Sequence, residues 1–474
     1  MSRKSTDSRT AELVIARPGI VDKGEKHWSV GPNLGVGYLA GAVRARGINV
    51  KVVDGKNEGH NRLEETVEVI RSYEPKFVGF SAMTTEYPTA IEIASRLKES
   101  GKPPITILGG VHASALPIDS LTESSAFDYV LTGEAEDSLP NFIEAIKSRK
   151  GINRIPGLYR RDKDGKPFSS CPTREVPDVN SLPFPAWDLL PRFGSYPVVM
   201  SRGCPYDCVF CGKNLGKKVR IRSVDHIMAE IEWLYKDYSP EVITFADETF
   251  GMKPKHTEEL LGRLIEFNKD KGVEFTAQTR VNYISQKIVD MMKKANFSYL
   301  SFGVESGDPE VLARSGKKLR VEEVERALKI VKAAGIPHRC FFIIGLPGET
   351  KASVRKTIDL AVKLNPNRLS VALIVPYPGT KIYEWALKGS NGYRMLSNSW
   401  NQFDKYLGAS LEMESLSYFE MRRLQVQLYL EAYIRNFRFK DLAKFIYGNR
   451  TLALSYGQNL LKKGMNEIPF LKNG

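Results

Sequence analysis

Short apolar runs alternate with amphipathic stretches along most of this chain, in two separate series. The runs of the first series are rich in Val, Ile and Phe and lack period-two alternation, a pattern that favours parallel strands covered on both faces. We therefore predict an α/β, doubly wound domain over residues 1–150, with its ligand beyond the carboxyl ends of the strands. The five predicted strands are Glu12–Ala16, Val50–Val53, Phe77–Ser81, Ile105–Leu108 and Tyr129–Leu131.

A second series of six apolar runs begins near residue 196, with a helical pattern between each consecutive pair. Right-handed crossovers would curl six such units into a partial (β/α)6 barrel over residues 196–383, with its chemistry at the carboxyl ends of the strands. The six predicted strands are Val198–Ser201, Val242–Ala246, Phe275–Thr279, Tyr299–Val304, Cys340–Ile344 and Leu369–Val375.

Two segments break the alternation. Residues 151–195 contain Asp164-Gly165, a dipeptide that predicts a hairpin, and then several prolines that exclude a helix, so we expect a hairpin followed by a linker. Residues 384–474 combine Leu, Tyr and Phe with Arg and Lys. They predict a helical C-terminal domain that caps the barrel, with a basic aromatic helix on a membrane surface as the alternative.

The net charge is positive, and the excess of basic residues is concentrated near the end of the chain. The 474 residues carry a formal charge of +14, and residues 421–474 hold ten Lys and Arg against three Asp and Glu. No apolar stretch approaches the roughly 20 residues needed to span a bilayer, and no apolar segment follows the charged N-terminus. We expect a cytoplasmic protein, with peripheral contact at the inner membrane face through residues 421–474 as the alternative to a purely cytoplasmic one.

Three of the five cysteines, Cys204, Cys208 and Cys211, fall within eight residues. Three thiolates at this spacing can bind three irons of a 4Fe-4S cluster and leave the fourth iron open to a small molecule. The alternatives are three buried free cysteines or a zinc site, for which the nearest fourth ligand is His226, inside a predicted helix. Cys171 and Cys340 are isolated, and we interpret both as structural thiols.

The Cys-x3-Cys-x2-Cys motif, with Phe210 before its last cysteine, resembles the signature of the radical S-adenosylmethionine (SAM) superfamily. The resemblance implies that these three catalytic cysteines bind a 4Fe-4S cluster. The reduced cluster would donate an electron to SAM and so generate a radical, which abstracts hydrogen from an unactivated carbon. It also implies SAM contacts at later strand ends, where an acidic residue is otherwise commonly a helix N-cap. The implied residues are Asp247 and Glu248 for the amino group, Arg280 for the carboxylate, Glu305 and Ser306 for the ribose, and Gly345 and Gly348 for the adenine. For Arg280, a surface ion pair is the alternative.

The first domain and the linker resemble the cobalamin-binding half of one radical SAM subfamily, on residues 32–40, 79–85, 109–114, 133–134 and 177–187. The resemblance implies cobalamin contacts from Ser81, Thr84, Gly110, His112, Gly133 and Glu134. The Asp-x-His-x-x-Gly motif is absent, so the cobalt is expected to lack a protein nitrogen ligand, and His112 either bonds the corrin amides or is an ordinary turn residue.

A dinucleotide site is the other interpretation of this domain. Gly35–Ala40 matches G-x-G-x-x-A, with Asp54 further along, but about seventeen residues separate the motif from the preceding predicted strand. Its glycines would have to form the turn directly after that strand.

These resemblances imply a cobalamin-binding radical SAM enzyme that methylates an unactivated carbon of a lipid or secondary metabolite. Oxidative cyclisation of a tetrapyrrole or lipid is the alternative in the same subfamily. A tRNA methylthiotransferase would need three further cysteines in residues 1–150, which contain none, and a non-catalytic cobalamin- or nucleic-acid-binding module is the last alternative. The expected partners are the substrate and a flavodoxin- or ferredoxin-type electron donor, with no nucleic acid.

Overall fold

The structure is a computed structural model that describes residues 10–19, 31–60, 62–406 and 408–448. It contains two large sheets with helices on their faces, connected by an irregular linker.

The first sheet has the strand order β2-β1-β3-β4-β5-β6-β7. Strands β1 to β5 are parallel, and β6 and β7 form an antiparallel hairpin that extends the sheet beyond β5. The strands are β1 (Leu13–Arg17), β2 (Val50–Asp54), β3 (Phe77–Ser81), β4 (Ile105–Gly109), β5 (Tyr129–Leu131), β6 (Leu158–Arg161) and β7 (Pro167–Ser169). The helices are α1 (Leu34–Ala45), α2 (Leu63–Ser72), α3 (Tyr87–Lys98), α4 (Val111–Ala115), α5 (Pro117–Glu123) and α6 (Ser138–Ser148). The doubly wound prediction is confirmed, and the strand order reverses between β1 and β3, where such folds bind ligands.

The second sheet has the order β15-β14-β13-β12-β11-β8 and is parallel throughout, which confirms the partial barrel. Its strands, with a small pair β9 and β10 beside them, are β8 (Ser195–Val198), β9 (Ser201–Arg202), β10 (Arg220–Ile221), β11 (Val242–Phe250), β12 (Glu274–Thr279), β13 (Phe297–Glu305), β14 (His338–Ile344) and β15 (Arg368–Leu373). The helices are α7 (Val224–Tyr238), α8 (Pro254–Phe267), α9 (Gln286–Lys294), α10 (Pro309–Arg314), α11 (Val321–Ala333) and α12 (Lys351–Leu364).

The first barrel strand differs from the prediction. The sequence indicates Val198–Ser201, but the strand paired with β11 is Ser195–Val198. Val199 is buried in a small cluster with Tyr38 of α1 and with Val176 and Leu182 of the linker. The apolar run is therefore divided between the barrel sheet and the contact between the domains.

The linker lies on α1, and the glycines of the G-x-G-x-x-A motif serve this contact. A Cβ at Gly37 would lie 2.5 Å from Cζ3 of the buried Trp187. The Gly37 carbonyl accepts a hydrogen bond from the Ala186 N–H (2.9 Å). These glycines lie inside a helix, away from a strand-to-helix turn, so the dinucleotide interpretation is not supported.

The C-terminal region covers the open edge of the barrel. Its elements are α13 (Lys381–Lys388), β16 (Tyr393–Met395), β17 (Leu411–Met413), α14 (Tyr418–Ile434) and α15 (Phe439–Gly448). On the edge strand, the Val371 carbonyl accepts from Gln425 Nε2 and the Val371 N–H donates to Tyr429 Oη, both at 2.8 Å. These side chains of α14 satisfy exposed strand groups, which confirms the predicted cap. Within the part of the chain that the structure describes, no helix is long and apolar enough to cross a bilayer.

We predict that Gly37→Ala destabilises the protein by about 1–3 kcal/mol, because its methyl group has no space beside Trp187. Gly35→Ala is the matched control: it lies in the same helix, and its Cβ would approach only Asn33 Oδ1, at 3.5 Å. Urea unfolding of both variants tests this. Equal midpoints for the two would contradict the proposed packing.

Candidate functional site

The three motif cysteines lie on a loop, residues 203–219, that β9 and β10 close at its base. All three are free thiols, with Cys208 buried and Cys211 exposed. The Cys204 N–H donates to the Gly216 carbonyl and the Cys211 N–H to the Cys208 carbonyl, both at 3.1 Å. The backbone therefore holds the loop compactly at the mouth of the barrel.

Three free thiols on one compact loop fit the ligand set of a 4Fe-4S cluster with one open iron. Among the described residues, no three His, Cys, Asp or Glu side chains are grouped closely enough to hold one metal ion. In a 4Fe-4S cube each cysteine binds a different iron, so its three sulfurs lie farther apart than the ligands of one ion. His226, the nearest candidate for a zinc ligand, lies in α7 and accepts from Arg222 Nε (3.2 Å).

Two predicted SAM contacts instead hold the start of the cysteine loop. Asp247 accepts from the N–H groups of Met200 (3.1 Å) and Ser201 (2.7 Å), and burial raises its pKa to about 7. Glu248 accepts from the Gly203 N–H (3.1 Å), and burial raises its pKa too. Asp247 therefore orders the start of the loop, and its contact with the amino group of SAM stays a prediction.

Arg280 faces the cysteine loop. Its guanidinium group lies 3.6 Å from the ring centroid of Tyr206, inside the cysteine motif, and it donates to the Lys317 carbonyl. Tyr206 Oη and Tyr283 Oη are 2.7 Å apart. The Arg280 Nε is buried without a hydrogen-bond partner. An unused donor beside the motif fits the predicted role of Arg280 toward an anionic group.

The predicted ribose contacts separate into two environments. Glu305, at a φ of +70°, pairs with the buried Lys317 Nζ at 2.7 Å. Such a backbone conformation in a non-glycine residue often marks a functional site. Ser306 is fully buried, and its Oγ lies 3.1 Å from Thr357 Oγ1 and accepts from the Asp308 N–H. Ser306 therefore stabilises the turn after β13 through these buried hydrogen bonds.

The glycine-rich bend after β14 is held by a carboxyl group that the sequence analysis did not assign. Gly345 and Gly348 have φ values of +102° and +73°. Glu349 Oε2 accepts from the Gly345 N–H (2.6 Å) and the Leu346 N–H (3.3 Å), and Oε1 has no partner. Burial raises the pKa of Glu349 to about 8.

Two adjoining cavities lie between the domains. One of about 330 Å³ is lined by the ends of β3, β4 and β5, by α1, and from the barrel side by Val199, Arg202 and Ala246. The other, of about 470 Å³, shares Gly133 and Glu134 with it and continues along the cysteine loop to Gly216. The carboxyl ends of β3, β4 and β5 thus face, across one space, the residues that follow β8 and the cysteine loop.

Of the six predicted cobalamin contacts, four line the first cavity: Ser81, Gly110, Gly133 and Glu134. Glycines, alanines and serines predominate at the strand ends there, so backbone and small side chains leave room for a broad flat ligand. This cradle fits cobalamin.

Thr84 and His112 lie behind this cavity and do not line it. The His112 ring stacks on Tyr87 with 4.0 Å between centroids, meets Trp400 edge-on, and places Nδ1 3.4 Å from Thr84 Oγ1. Burial lowers the pKa of His112 to about 4. His112 is a neutral packing residue here, and its hydrogen bond to the corrin amides stays a prediction.

The sequence analysis missed a buried charge cluster between the domains. Arg202 pairs with Glu134 (2.9 Å) and Glu136 (2.7 Å), and Arg220 pairs with Glu134. The position of Arg202, two residues before Cys204, is the only sequence signal for its role.

We predict that Glu349→Gln makes stability less dependent on pH. The raised pKa means that neutral Glu349 favours folding fully below about pH 4.5 and that this contribution is lost as pH rises towards 8. The variant should match the wild type near pH 5 and exceed it near pH 8, by a few kcal/mol at most. Thermal unfolding across this range is the measurement, with exposed Glu322→Gln as control. Parallel pH profiles for wild type and Glu349→Gln would contradict the assignment.

Comparisons with known proteins agree with this arrangement. The radical SAM superfamily model matches residues 198–361, and the B12-binding domain model matches residues 27–143. The chain is 29% identical over 418 residues to an uncharacterized methyltransferase of Pyrococcus horikoshii, covering 86% of this chain and 89% of that protein. It is 27% identical over 370 residues to the anaerobic magnesium-protoporphyrin IX monomethyl ester cyclase of Rubrivivax gelatinosus, covering 74% and 66%.

The fold is also similar to a solved structure, the radical SAM methyltransferase TsrM from Kitasatospora setae with cobalamin and a 4Fe-4S cluster bound. The TM-score is 0.71 at 16% identity, over 90% of this chain and 89% of that one. The two domain matches confirm the expected cofactors, a 4Fe-4S cluster, SAM and cobalamin, and confirm that the protein is an enzyme. The chain belongs to the cobalamin-binding radical SAM enzymes.

Proposed function

We propose that this protein is a cobalamin-dependent radical SAM methyltransferase that methylates an unactivated carbon of a lipid or secondary metabolite. The supporting observation is the cavity into which both domains project their strand ends, since methyl carrier and cluster must serve the same substrate atom. Relatives named as methyltransferases support the same reaction.

The residues of this chain would bind and orient the cofactors and exclude water from the site. Cys204, Cys208 and Cys211 would hold the cluster, and the small residues at the ends of β3 to β5 would hold cobalamin. When bound, these groups and SAM supply one-electron cleavage of a carbon-sulfur bond and a methyl carrier. Arg280, with its unused Nε, is placed to orient an anionic part of SAM.

Oxidative cyclisation is the second candidate, because a cyclase is among the relatives. The two reactions differ in product mass. Methylation adds CH2, whereas cyclisation removes hydrogen or adds oxygen.

We further propose an acidic, flavodoxin- or ferredoxin-type electron donor that docks beside Cys211. This cysteine is exposed, and Lys213, Lys217 and Lys218 follow it closely. Asp207 pairs with both Lys213 and Lys217, so three cations in this loop meet one anion. A net positive surface at the exposed side of the loop suits an acidic partner.

Of the predicted membrane surface, residues 449–474 lie outside the described residues. The surface is proposed for α15, because α14 packs one face against the barrel. Phe439, Ala443 and Ile446 are exposed and lie at i, i+4 and i+7, on one face of the helix. Lys440 and Lys444 are also exposed, beside this face. A short apolar stripe bordered by lysines is typical of a helix that lies in an anionic lipid surface.

The methyl-transfer test uses reconstituted protein, SAM carrying a trideuteromethyl group, and lipid and pigment extracts from a source strain that lacks the gene. We predict 5'-deoxyadenosine and a product that gains the labelled methyl group. Cys208→Ala should abolish both, since it removes one iron ligand, while Cys171→Ala in the linker should retain them. A product without label but with fewer hydrogens would favour the cyclase, and undiminished activity in Cys208→Ala would refute both reactions.

The membrane test is co-sedimentation with phosphatidylglycerol vesicles. The Phe439→Ser, Ile446→Ser double variant should bind at least about tenfold more weakly, because two exposed apolar side chains are lost. Phe419→Ser is the control, because this aromatic is even more exposed than Phe439 but lies near the start of α14, away from α15. Equal loss in both variants, or no binding by the wild type, would exclude the α15 surface.

A further inference from the structure

Glu134 lies where three parts of the chain meet. It follows β5 of the cobalamin-binding domain, and its Oε1 accepts from Arg202 Nη1 at 2.9 Å. Its Oε2 accepts from the Val176 N–H of the linker at 2.6 Å and pairs with Arg220 Nη1. The three charged side chains are between 3% and 7% exposed, so these ion pairs are made away from bulk water.

The two arginines are paired across β9 and β10, the two short strands that close the base of the cysteine loop. Arg202 of β9 and Arg220 of β10 face each other in register. Arg220 also donates to the Leu215 carbonyl inside the loop and to the Val176 carbonyl, both at 2.8 Å. One carboxylate of the first domain thus bonds to both ends of the loop that carries the cluster cysteines.

Glu134 and Arg202 also line the cobalamin cavity. Glu134, Glu136, Arg202 and Tyr38 all face it, and the Arg202 guanidinium lies 4.8 Å from the ring centroid of Tyr38. A ligand in the cavity would therefore contact the residues that fix the base of the loop. Arg202 also pairs with Glu136, and Glu175 Oε2 lies 3.7 Å from Arg220 Nε. Loss of the Glu134 charge would therefore leave each of the two buried guanidinium groups with a single carboxylate partner.

We propose that Glu134 is a positioning residue that couples cobalamin binding in the first domain to the geometry of the cluster loop in the second. The proposal rests on the proposed function in one respect: both cofactors bind to this chain. Since coupling between two sites is reciprocal, a formed cluster should tighten cobalamin binding, and bound cobalamin should alter the cluster.

The test is an absorbance titration of the full-length protein with hydroxocobalamin, once with the cluster reconstituted and once after its removal by a chelator. For the wild type, we expect a dissociation constant several-fold lower with the cluster present. In Glu134→Gln, which keeps the size of the side chain and removes its charge, the ratio should fall to about one. The electron paramagnetic resonance (EPR) spectrum of the reduced cluster should respond to cobalamin in the wild type and not in the variant.

Glu230→Gln is the matched control. Glu230 is fully buried and pairs with Arg222 Nη1 at 2.6 Å, on α7 and outside the cysteine loop. Glu230→Gln should lower the melting temperature as Glu134→Gln does. It should nevertheless keep the wild-type ratio of the two cobalamin dissociation constants. Should Glu134→Gln not fold, Arg202→Lys, which keeps the charge but can face only one carboxylate well, should give an intermediate ratio.

A wild-type ratio of one, an unchanged ratio in Glu134→Gln or Arg202→Lys, or the same loss in Glu230→Gln would each overturn the proposal. None of these results depends on finding the substrate. Failure of methyl transfer would leave the binding ratio intact, so the two proposals can fail separately.

Discussion

Carboxylates hold the cysteine loop in place, and the rest of the site depends on that arrangement. Asp247 and Glu248, at the end of β11, accept from the backbone just before Cys204, while Glu134 reaches from the other domain to the arginines at both ends of the loop. Within the loop, Val209 belongs to the hydrophobic core. The buried acceptors add hydrogen-bonded order to this packing.

The two parallel sheets explain why one space can serve two cofactors. In each sheet the carboxyl ends of the strands leave backbone groups and small residues exposed, and the linker packed on α1 fixes these ends opposite each other. Val199 and Trp187 are buried at this contact, so the relative placement of the domains is part of the hydrophobic core. The cavity is a consequence of how the domains pack.

The sequence predicted the elements well because apolar runs and helical periodicity are local signals. Phe77–Ser81 and Tyr129–Leu131 have the predicted bounds. Contacts over long sequence distances were not predictable. Asp247 bonds to residues 46 and 47 positions away, and Glu134 to arginines 68 and 86 positions away. The packing of His112 was not predictable for the same reason, because its partner Trp400 is distant in sequence.

One requirement of this site is that the cluster and cobalamin lie close together between the two domains. It is tested most directly by EPR of the reduced protein that holds both the reduced cluster and cob(II)alamin. The account predicts that each signal is broadened or split by the other, relative to samples that hold only one of the two. Two signals that add without any change would place the cofactors apart and contradict it.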